Sequence, residues 1–325
     1  MTSSFPDRLQ KIFEESLIFE GKTPTHFLPL VEEASSRKYY RVFYPEFTAI
    51  LYYEPTINPD YLNIGSFLLQ NGFSVPKSLK QIDSSFMLIS DEGSKDLSDF
   101  TEDAFFTALE SALELILKFS KLVPPKTVSE RKFDFEKFQF ESNHTLKGLE
   151  LFSSQFSKTL PFRPIQINGF LENTNFTLAS SLPMQFTHRD FHSRNLLVQD
   201  SKITILDFQD ARLGLVQYDL SSILYDAYKP IPLEKRQSFL KTFFKEYENL
   251  HGKQSEKKFL QIYYLQAFQR SNKALGTYLH MVSSGKTKFG DSIEPCLQNI
   301  LEILQLGLFP DIVYLYYKDL LDVLV

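Results

Sequence analysis

Cysteine is almost missing from this chain, which has one such residue, Cys296, among 325. A single cysteine cannot form an internal disulfide, and it excludes a cysteine-rich metal site. Cys296 follows a proline at the expected start of a helix, where we predict a packing role rather than a catalytic thiol. The chemistry of the protein must therefore come from other side chains.

A surplus of positive charge is also missing. The chain has 35 Lys and Arg against 40 Asp and Glu, a formal net charge of −5. Nucleic-acid binding usually depends on a basic surface. The one clear basic cluster, Arg37 and Lys38 with Arg41, is small and suits a nucleotide phosphate better than a duplex. We expect no nucleic-acid partner.

Long apolar runs are the third absence. The most hydrophobic region, residues 303–325, is interrupted by Pro310 and four charged side chains, so we expect no membrane span and no membrane partner. Residues 3–20 carry charged side chains among the apolar ones and do not form a secretory signal. These patterns predict a cytoplasmic protein.

The chain has enough length and apolar content for two domains with a large core. Hydrophobic residues make up 43% and charged residues 23%, which is ordinary for a globular protein. The 32 phenylalanines are unusual. Many recur at helical spacing, and we predict that they belong to the core rather than to a partner surface.

The order of predicted elements indicates an α+β protein with two lobes. A helix over 6–19 precedes strand-like runs near 26–31, 38–44 and 47–53. Asn58-Pro59 then starts a helix that Gly72 can close, and strands near 80–82 and 86–90 complete a five-stranded lobe. Beyond Gly93 the pattern is helical, over 101–122, 134–152, 169–179, 221–228, 233–250, 257–282 and 293–308.

The segment from Thr187 to Leu213 is the most informative part of the chain. It reads THRDFHSRNLLV, then QDSK, then ITILDFQDARL. The apolar runs at 196–198 and 203–206 predict two antiparallel strands with a tight turn, following a strand at 184–187. We expect this hairpin to bring Asp207 beside Asn195, with Asp190 on the preceding loop.

The three polar residues of this segment suit phosphoryl transfer. The Asn195 carbonyl and the Asp207 carboxylate are oxygen ligands of the kind that Mg²⁺ takes. The Asp190 carboxylate can orient a substrate hydroxyl and accept its proton. Single polar residues at turns are common, but three at the ends of apolar runs favour a catalytic site.

The motifs HRDFHSRN and DFQDA resemble the aminoglycoside phosphotransferase family, which has a protein-kinase-like fold. DFQDA with Tyr218-Asp219-Leu220 is most similar to its bacterial branch of anomeric sugar kinases, the N-acetylmuramate/N-acetylglucosamine kinases of cell-wall recycling. The resemblance implies ATP and Mg²⁺ as cofactors, with Asp190 as catalytic base. It also implies Asn195 and Asp207 as metal ligands and Asp219 as a structural support for the catalytic loop.

The same resemblance implies an N-terminal nucleotide-binding lobe over 1–90, with a five-stranded antiparallel sheet and a helix. A larger, mainly helical lobe over 91–325 would carry the catalytic hairpin and bind substrate. Residues 33–42 resemble the family's phosphate-covering turn, which implies nucleotide contacts from Ser35, Ser36 and Arg37. Residues 87–93 stand where the hinge would lie and place Ile89 and Asp91 near the adenine.

The sequence departs from the protein-kinase pattern in two places. No glycine occurs between Gly21 and Gly65, so serines must serve in the phosphate-covering turn. The third strand lacks the usual phosphate-binding lysine, and Glu54 follows it. Compensation by Arg37, Lys38 or Arg41 stays open, as does a catalytically silent nucleotide-binding protein.

The acceptor is expected to be a small molecule, with an N-acetylated amino sugar and its anomeric hydroxyl as the first choice by resemblance. Choline, ethanolamine, a ketosamine or an aminoglycoside is the alternative. Arg194 is a candidate for binding a phosphate or a sugar carboxylate, or else forms a surface ion pair. Asp210 is a candidate for the sugar site or a turn cap, and Arg270 for the cleft or an inter-helix salt bridge.

Overall fold

The computed structural model describes residues 5–30, 37–306 and 309–325 of the chain. It divides into two compact units. The N-terminal unit comprises the chain up to Lys95 together with Leu197–Gln209, and the C-terminal unit comprises Asp96–Leu196 and Asp210–Val325. The segment of chain that contains Asp207 therefore belongs to the N-terminal unit.

The N-terminal unit contains a five-stranded antiparallel sheet, as the sequence predicts. Its spatial order is β1-β2-β3-β5-β4, and β2 and β3 pair from Lys38 opposite Tyr53 to Phe43 opposite Thr48. The central strand β3 is an almost continuous buried run, which accounts for its apolar sequence. The strands are β1 His26–Pro29, β2 Lys38–Phe43, β3 Thr48–Tyr53, β4 Ser78–Gln81 and β5 Phe86–Ser90.

Two helices accompany this sheet, α1 (Phe5–Glu15) and α2 (Pro59–Gln70). The Asn58 side chain accepts a hydrogen bond from the backbone N–H of Asp60 and caps α2, with proline in its first turn. Gly72 follows the helix at a φ of +80°, a conformation that favours glycine. Both predicted ends of α2 are confirmed.

The hairpin from Leu196 joins the N-terminal unit through backbone hydrogen bonds. Strands β7 (Leu196–Gln199) and β8 (Lys202–Ile205) pair with each other, as predicted. The turn residues Asp200 and Ser201 have φ values of +48° and +63°, typical of a tight two-residue hairpin. The backbone N–H of Ile205 donates to the carbonyl of Ser74 at 2.8 Å.

The C-terminal unit is mainly helical, as predicted. A short ladder of β6 (Gln185–Thr187) with β9 (Arg212–Gly214) pairs the two ends of the segment from Thr187 to Leu213. The helices are α3 Glu102–Phe119, α4 Lys126–Ser129, α5 Phe135–Phe156, α6 Ile165–Ala179, α7 Val216–Leu224, α8 Leu233–His251, α9 Glu256–Ser283, α10 Ile293–Leu304 and α11 Asp311–Leu324.

The predicted position of α7 was wrong by several residues. The helix covers Val216–Leu224, whereas the sequence pattern favoured 221–228. Every residue of α7 is buried, so the helix has no polar face whose period could mark its start. Asp219 therefore lies in the first turn of the helix rather than on a loop.

Helices α5 and α9 cross closely at two glycines. A Cβ added to Gly148 would lie 2.7 Å from the carbonyl oxygen of Gly276, and one added to Gly276 would lie 2.6 Å from the Cα of Thr145. The glycines thus allow the two backbones to approach. This crossing fixes α9, which carries two of the cations described below.

Most large buried side chains are aromatic, as predicted from the phenylalanine content. Phe86, Phe119, Phe191 and Phe268 are completely enclosed. A minority lies outside the core: Phe140, Phe162 and Phe176 are mostly exposed. Within the described ranges, no helix combines the length and apolarity that crossing a bilayer requires.

Candidate active site

Hydrogen bonds to the Asp219 carboxylate hold the loop that carries Asp190. The Asp219 carboxylate accepts hydrogen bonds from the backbone N–H groups of His188 at 2.6 Å and Arg189 at 2.9 Å. These bonds hold Arg189 at a φ of +85°, a strained conformation for a residue with a side chain. The structural role predicted for Asp219 is confirmed by these contacts.

A second buried carboxylate holds the other end of the loop. Asp226 accepts from the backbone N–H of Ser193 at 2.8 Å and of Tyr228 at 2.9 Å. Burial raises the pKa of Asp226 and raises the pKa of Asp219 to about 7, although the backbone donors oppose the shift. The backbone around Asp190 is thus tied to the core at both ends.

The carboxylate of Asp190 is surrounded by cations. Its Oδ1 accepts a hydrogen bond from Lys273 Nζ at 2.9 Å and another from an Arg270 terminal nitrogen at 3.3 Å. Burial alone would raise the pKa of Asp190, but Lys273, with the two arginines at 189 and 270, holds it well below its usual range. Asp190 is therefore ionised at neutral pH.

Arg270 links three elements of the C-terminal unit. Its Nε donates to the Ser222 hydroxyl on α7 at 2.8 Å, while a terminal nitrogen reaches Asp190. The side chain is 9% exposed. Arg270 therefore hydrogen-bonds to helix α7 and forms its ion pair with the predicted base on the loop, rather than with a second helix. Its predicted place in the cleft stays a prediction.

Asn195 presents an oxygen that the loop leaves available. Its amide nitrogen donates to the Asp190 carbonyl at 2.8 Å and lies 3.3 Å from His192 Nε2. Within the described part of the chain its Oδ1 has no hydrogen-bond partner. The donor set is appropriate for Mg²⁺, which takes carbonyl and carboxylate oxygens.

Asp207 is the corresponding oxygen donor of the N-terminal unit. It has a φ of +58°, and its Oδ1 accepts from Arg37 and from Gln209 Nε2. Both contacts use one oxygen, so the structure as described leaves Oδ2 without a partner. With a side chain 36% exposed, Asp207 can also serve as a hard-metal ligand.

Arg37 is the basic residue that contacts the predicted metal ligand. Its Nε donates to Glu54 at 3.3 Å, and one terminal nitrogen donates to Asp207. Arg41 is engaged elsewhere, since its guanidinium contacts both oxygens of Asp91, at 2.7 and 3.1 Å. Among the arginines left open by the sequence, the contacts favour Arg37.

The other predicted nucleotide contacts divide into two groups. Ile89 is buried in β5, and Asp91 directly after that strand forms the ion pair with Arg41. Ser35 and Ser36 lie outside the described residues. Their predicted contacts with phosphate stay predictions.

The two predicted acceptor residues have different surroundings. The Arg194 guanidinium lies 3.8 Å from the ring centroid of Tyr228, a cation–π contact rather than the ion pair considered from sequence. Asp210 pairs with Arg189 at 3.2 Å and is 41% exposed. Asp210 therefore belongs to the same charged group as the residue before Asp190.

Sequence reasoning missed several charged residues near Asp190. Glu141 of α5 is 2% exposed and accepts from Tyr218 at 3.4 Å and Gln269 at 2.8 Å. Lys273 could have been noticed because it lies one turn after Arg270 on the same helix. The remaining residues, Lys137, Arg189 and Arg212, have no local signal because distant segments bring them together.

The fold and the motif together define a phosphotransferase. A sequence profile of the phosphotransferase enzyme family matches residues 59–256, and the chain belongs to that family. It is 25% identical over 299 residues to the N-acetylmuramate/N-acetylglucosamine kinase of Pseudomonas aeruginosa. The match covers 86% of this chain and 85% of that relative.

Solved structures confirm the protein-kinase-like fold. Spectinomycin phosphotransferase APH(9)-Ia, in complex with ADP and spectinomycin, matches with a TM-score of 0.61 and 13% identity, covering 96% of this chain and 98% of that one. The choline kinase LicA of Streptococcus pneumoniae matches with a TM-score of 0.59 and 12% identity, covering 92% and 100%. At these identities the likeness concerns the fold alone.

Proposed function

We propose that this protein is an ATP- and Mg²⁺-dependent kinase that phosphorylates a sugar hydroxyl, namely the anomeric hydroxyl of an N-acetylated amino sugar. The observation that carries the proposal is the loop of Asp190, a carboxylate kept ionised by Lys273 and Arg270 and presented on a rigid backbone. The name of the Pseudomonas relative supports the choice of sugar.

The reaction assigns distinct roles to the chain's own residues. Asp190 would accept a hydrogen bond from the acceptor hydroxyl and orient its oxygen for in-line attack on the γ-phosphorus. As the bond from the acceptor oxygen to the γ-phosphorus forms, the bond from that phosphorus to the bridging oxygen would break and release ADP, and the hydroxyl proton would pass to the Asp190 carboxylate. Because Asp190 is a weak base, orientation rather than early proton removal is its main contribution.

Asn195 Oδ1 and Asp207 Oδ2 would hold Mg²⁺, which neutralises charge on the triphosphate. Arg37 would bind phosphate oxygens in place of the absent strand lysine.

We assign residues 1–90 to nucleotide binding, with Ser35, Ser36, Ile89 and Asp91 as further contacts. Residues 91–325 would bind the acceptor, with Asp210 and Arg194 near it. We expect the reaction to take place in the cytoplasm, where ATP is available.

The charge near Asp190 weighs against a cationic acceptor. Choline, ethanolamine and aminoglycosides would need acidic or aromatic partners, whereas the Asp190 region is rich in Lys and Arg. A sugar without positive charge fits these surroundings better, although the choline kinase shares the fold.

The decisive experiment is an acceptor panel. The purified protein would be incubated with ATP and Mg²⁺ plus N-acetylmuramate, N-acetylglucosamine, choline, ethanolamine, a ketosamine or an aminoglycoside. We expect ADP release with the N-acetylated sugars. The NMR spectrum of the product should show that the phosphate is bonded to the anomeric carbon. Turnover of choline alone, or nucleotide binding with no turnover, would overturn the proposal.

A further inference from the structure

The loop from Asp190 to Asn195 is closed by hydrogen bonds among its own residues. The Asp190 carbonyl accepts from the backbone N–H of His192 at 3.1 Å and from the side-chain nitrogen of Asn195 at 2.8 Å. The backbone N–H of Asn195 donates to the His192 carbonyl at 3.0 Å. Because a carbonyl oxygen only accepts, the bond to Asp190 fixes which branch of the Asn195 amide is the nitrogen.

The imidazole of His192 is the second partner of this amide. Its Nε2 lies 3.3 Å from the Asn195 nitrogen, which has one hydrogen left after the bond to Asp190. Two donors cannot form a hydrogen bond with each other, so Nε2 accepts and the ring carries its hydrogen on Nδ1. With both hydrogens engaged, the amide is held against rotation, and Oδ1 is the branch that remains for a metal ion.

The other ring nitrogen of His192, Nδ1, is buried. It has no hydrogen-bond partner within the part of the chain that the structure describes. The ring is also fixed from the side, because it meets the Tyr228 ring edge-on with centroids 5.3 Å apart. A buried donor without an acceptor costs free energy. The Nδ1 hydrogen therefore needs an acceptor at the position where the ring now lies.

A small cavity beside the ring can hold such an acceptor. His192 lines a cavity of about 20 Å³ together with Ser222, Asp226 and Arg270. This volume is sufficient for one water molecule but not for a sugar or a nucleotide. The hydroxyl of Ser222 and the carboxylate of Asp226 are oxygen acceptors for the hydrogens of a water. The Arg270 guanidinium disfavours a metal cation in the same cavity.

We infer that His192 is a positioning residue of the metal site: its Nε2 accepts from the Asn195 amide, its Nδ1 donates to a water molecule in the cavity, and Asn195 Oδ1 is thereby held in place for Mg²⁺. The inference rests on the proposed kinase function and adds to it the support of one metal ligand. His192 acts through Asn195 rather than on the metal itself. Replacing a residue that orients a metal ligand changes metal affinity by about 10- to 100-fold.

Two substitutions separate the roles of the two ring nitrogens. A glutamine can place its amide oxygen where Nε2 lies, whereas the shorter asparagine reaches only the position of Nδ1. His192→Gln should therefore keep the bond to Asn195, and His192→Asn should lose it while keeping a polar group at the cavity. We expect the Kd of Mn²⁺, the probe for Mg²⁺, to rise about 10-fold in His192→Asn and less than about 3-fold in His192→Gln.

Electron paramagnetic resonance of the purified protein with ADP, and without an acceptor, measures the bound Mn²⁺. His26→Asn is the matched control, because His26 is an exposed histidine of β1 that contacts Thr25 and Phe43. It should bind Mn²⁺ as the wild type does. An equal loss in both His192 variants would mean that the ring only fills space, and equal retention would mean that Asn195 needs no support. Either result would overturn the inference.

Nitrogen NMR of the wild type tests the arrangement without metal or nucleotide. In protein labelled at its six histidines, the His192 signals are those that His192→Gln removes. We expect the tautomer with the hydrogen on Nδ1 at neutral pH. A hydrogen on Nε2, or on both nitrogens, would overturn the inference, because Nε2 could not then accept from Asn195.

The two measurements separate this failure from failure of the proposed function. A wild type that shows the Nδ1 tautomer but binds no Mn²⁺ with ADP would refute the proposed function and with it the role of His192 at a metal site. A wild type that binds Mn²⁺ with ADP, but with the same affinity as both His192 variants, would refute the positioning role alone.

Discussion

Lys273 donates a 2.9 Å hydrogen bond to the carboxylate of Asp190 across 83 residues of sequence. The partner oxygen also accepts from Arg270, one turn earlier on α9. A carboxylate held by two cations is a weak base but a well-oriented hydrogen-bond acceptor. This relationship favours a mechanism in which Asp190 positions the acceptor hydroxyl.

Replacing Asp190 with asparagine should abolish most turnover while leaving ATP binding nearly intact. The amide keeps the shape of the side chain but removes the charge that orients the hydroxyl, and we expect kcat to fall about 10²- to 10⁴-fold. Coupled ADP assays give kcat, and calorimetric titration with an ATP analogue gives the affinity. Wild-type turnover in Asp190→Asn would refute the assignment.

Removing the Lys273 charge should weaken catalysis without unfolding the protein. Lys273→Met leaves Asp190 with Arg270 as its nearest donor, and we expect kcat/KM to fall about 10- to 100-fold. Lys273→Arg keeps the charge and should recover part of the loss. Equal activity of the two variants would show that packing, rather than charge, explains the position of Lys273.

Arg37 should matter chiefly for the nucleotide. Because it contacts Asp207 and Glu54, Arg37→Met removes a cation from the predicted phosphate site. We expect the KM for ATP to rise about 10-fold. Lys22→Met is a suitable control, since Lys22 forms a surface ion pair with Glu46 in the same unit. An altered sugar KM with a normal ATP KM would contradict this role.

The sequence was sufficient for the features that depend on local pattern. The β7–β8 hairpin, the strands of the sheet and the capped helix α2 each have short-range signals, such as alternating apolar runs or Asn58 before proline. Helix α7 is wholly buried, so its sequence lacks the helical recurrence of polar and apolar residues that would mark where it begins and ends. The Asp190 surroundings could not be predicted for another reason, since Glu141, Lys273 and Arg212 meet only through the α5–α9 crossing and the β6–β9 ladder.

The α5–α9 crossing should tolerate no side chain at Gly276. A Cβ there would lie 2.6 Å from the Thr145 Cα, which belongs to backbone and cannot rotate away. We expect Gly276→Ala to lower the free energy of unfolding by about 1–3 kcal/mol. Gly169→Ala is the matched control, because a Cβ at Gly169 of α6 meets nothing within 4 Å. The control should be neutral or stabilising by up to about 1 kcal/mol, and equal urea midpoints would contradict the close approach.

Acid should destabilise the same crossing through His144. Its ring stacks on His280 with centroids 4.2 Å apart. Burial, then His280 and Lys273 of α9, lower the pKa of His144 to about 4, against the raising effect of Glu141. Between pH 6.5 and 4 the unfolded chain therefore binds a proton that the folded protein does not, so stability falls as the pH falls.

We expect this histidine to contribute roughly 2 kcal/mol to the loss of stability between pH 7 and 4.5, allowing for partial exposure of the ring. His144→Gln removes the titrating group and should flatten the pH dependence of the unfolding free energy by that amount. Urea unfolding at several pH values measures it. Other acidic groups titrate in both proteins and cancel in the comparison, so parallel curves for wild type and variant would show that His144 is protonated in the folded protein as readily as in the unfolded chain.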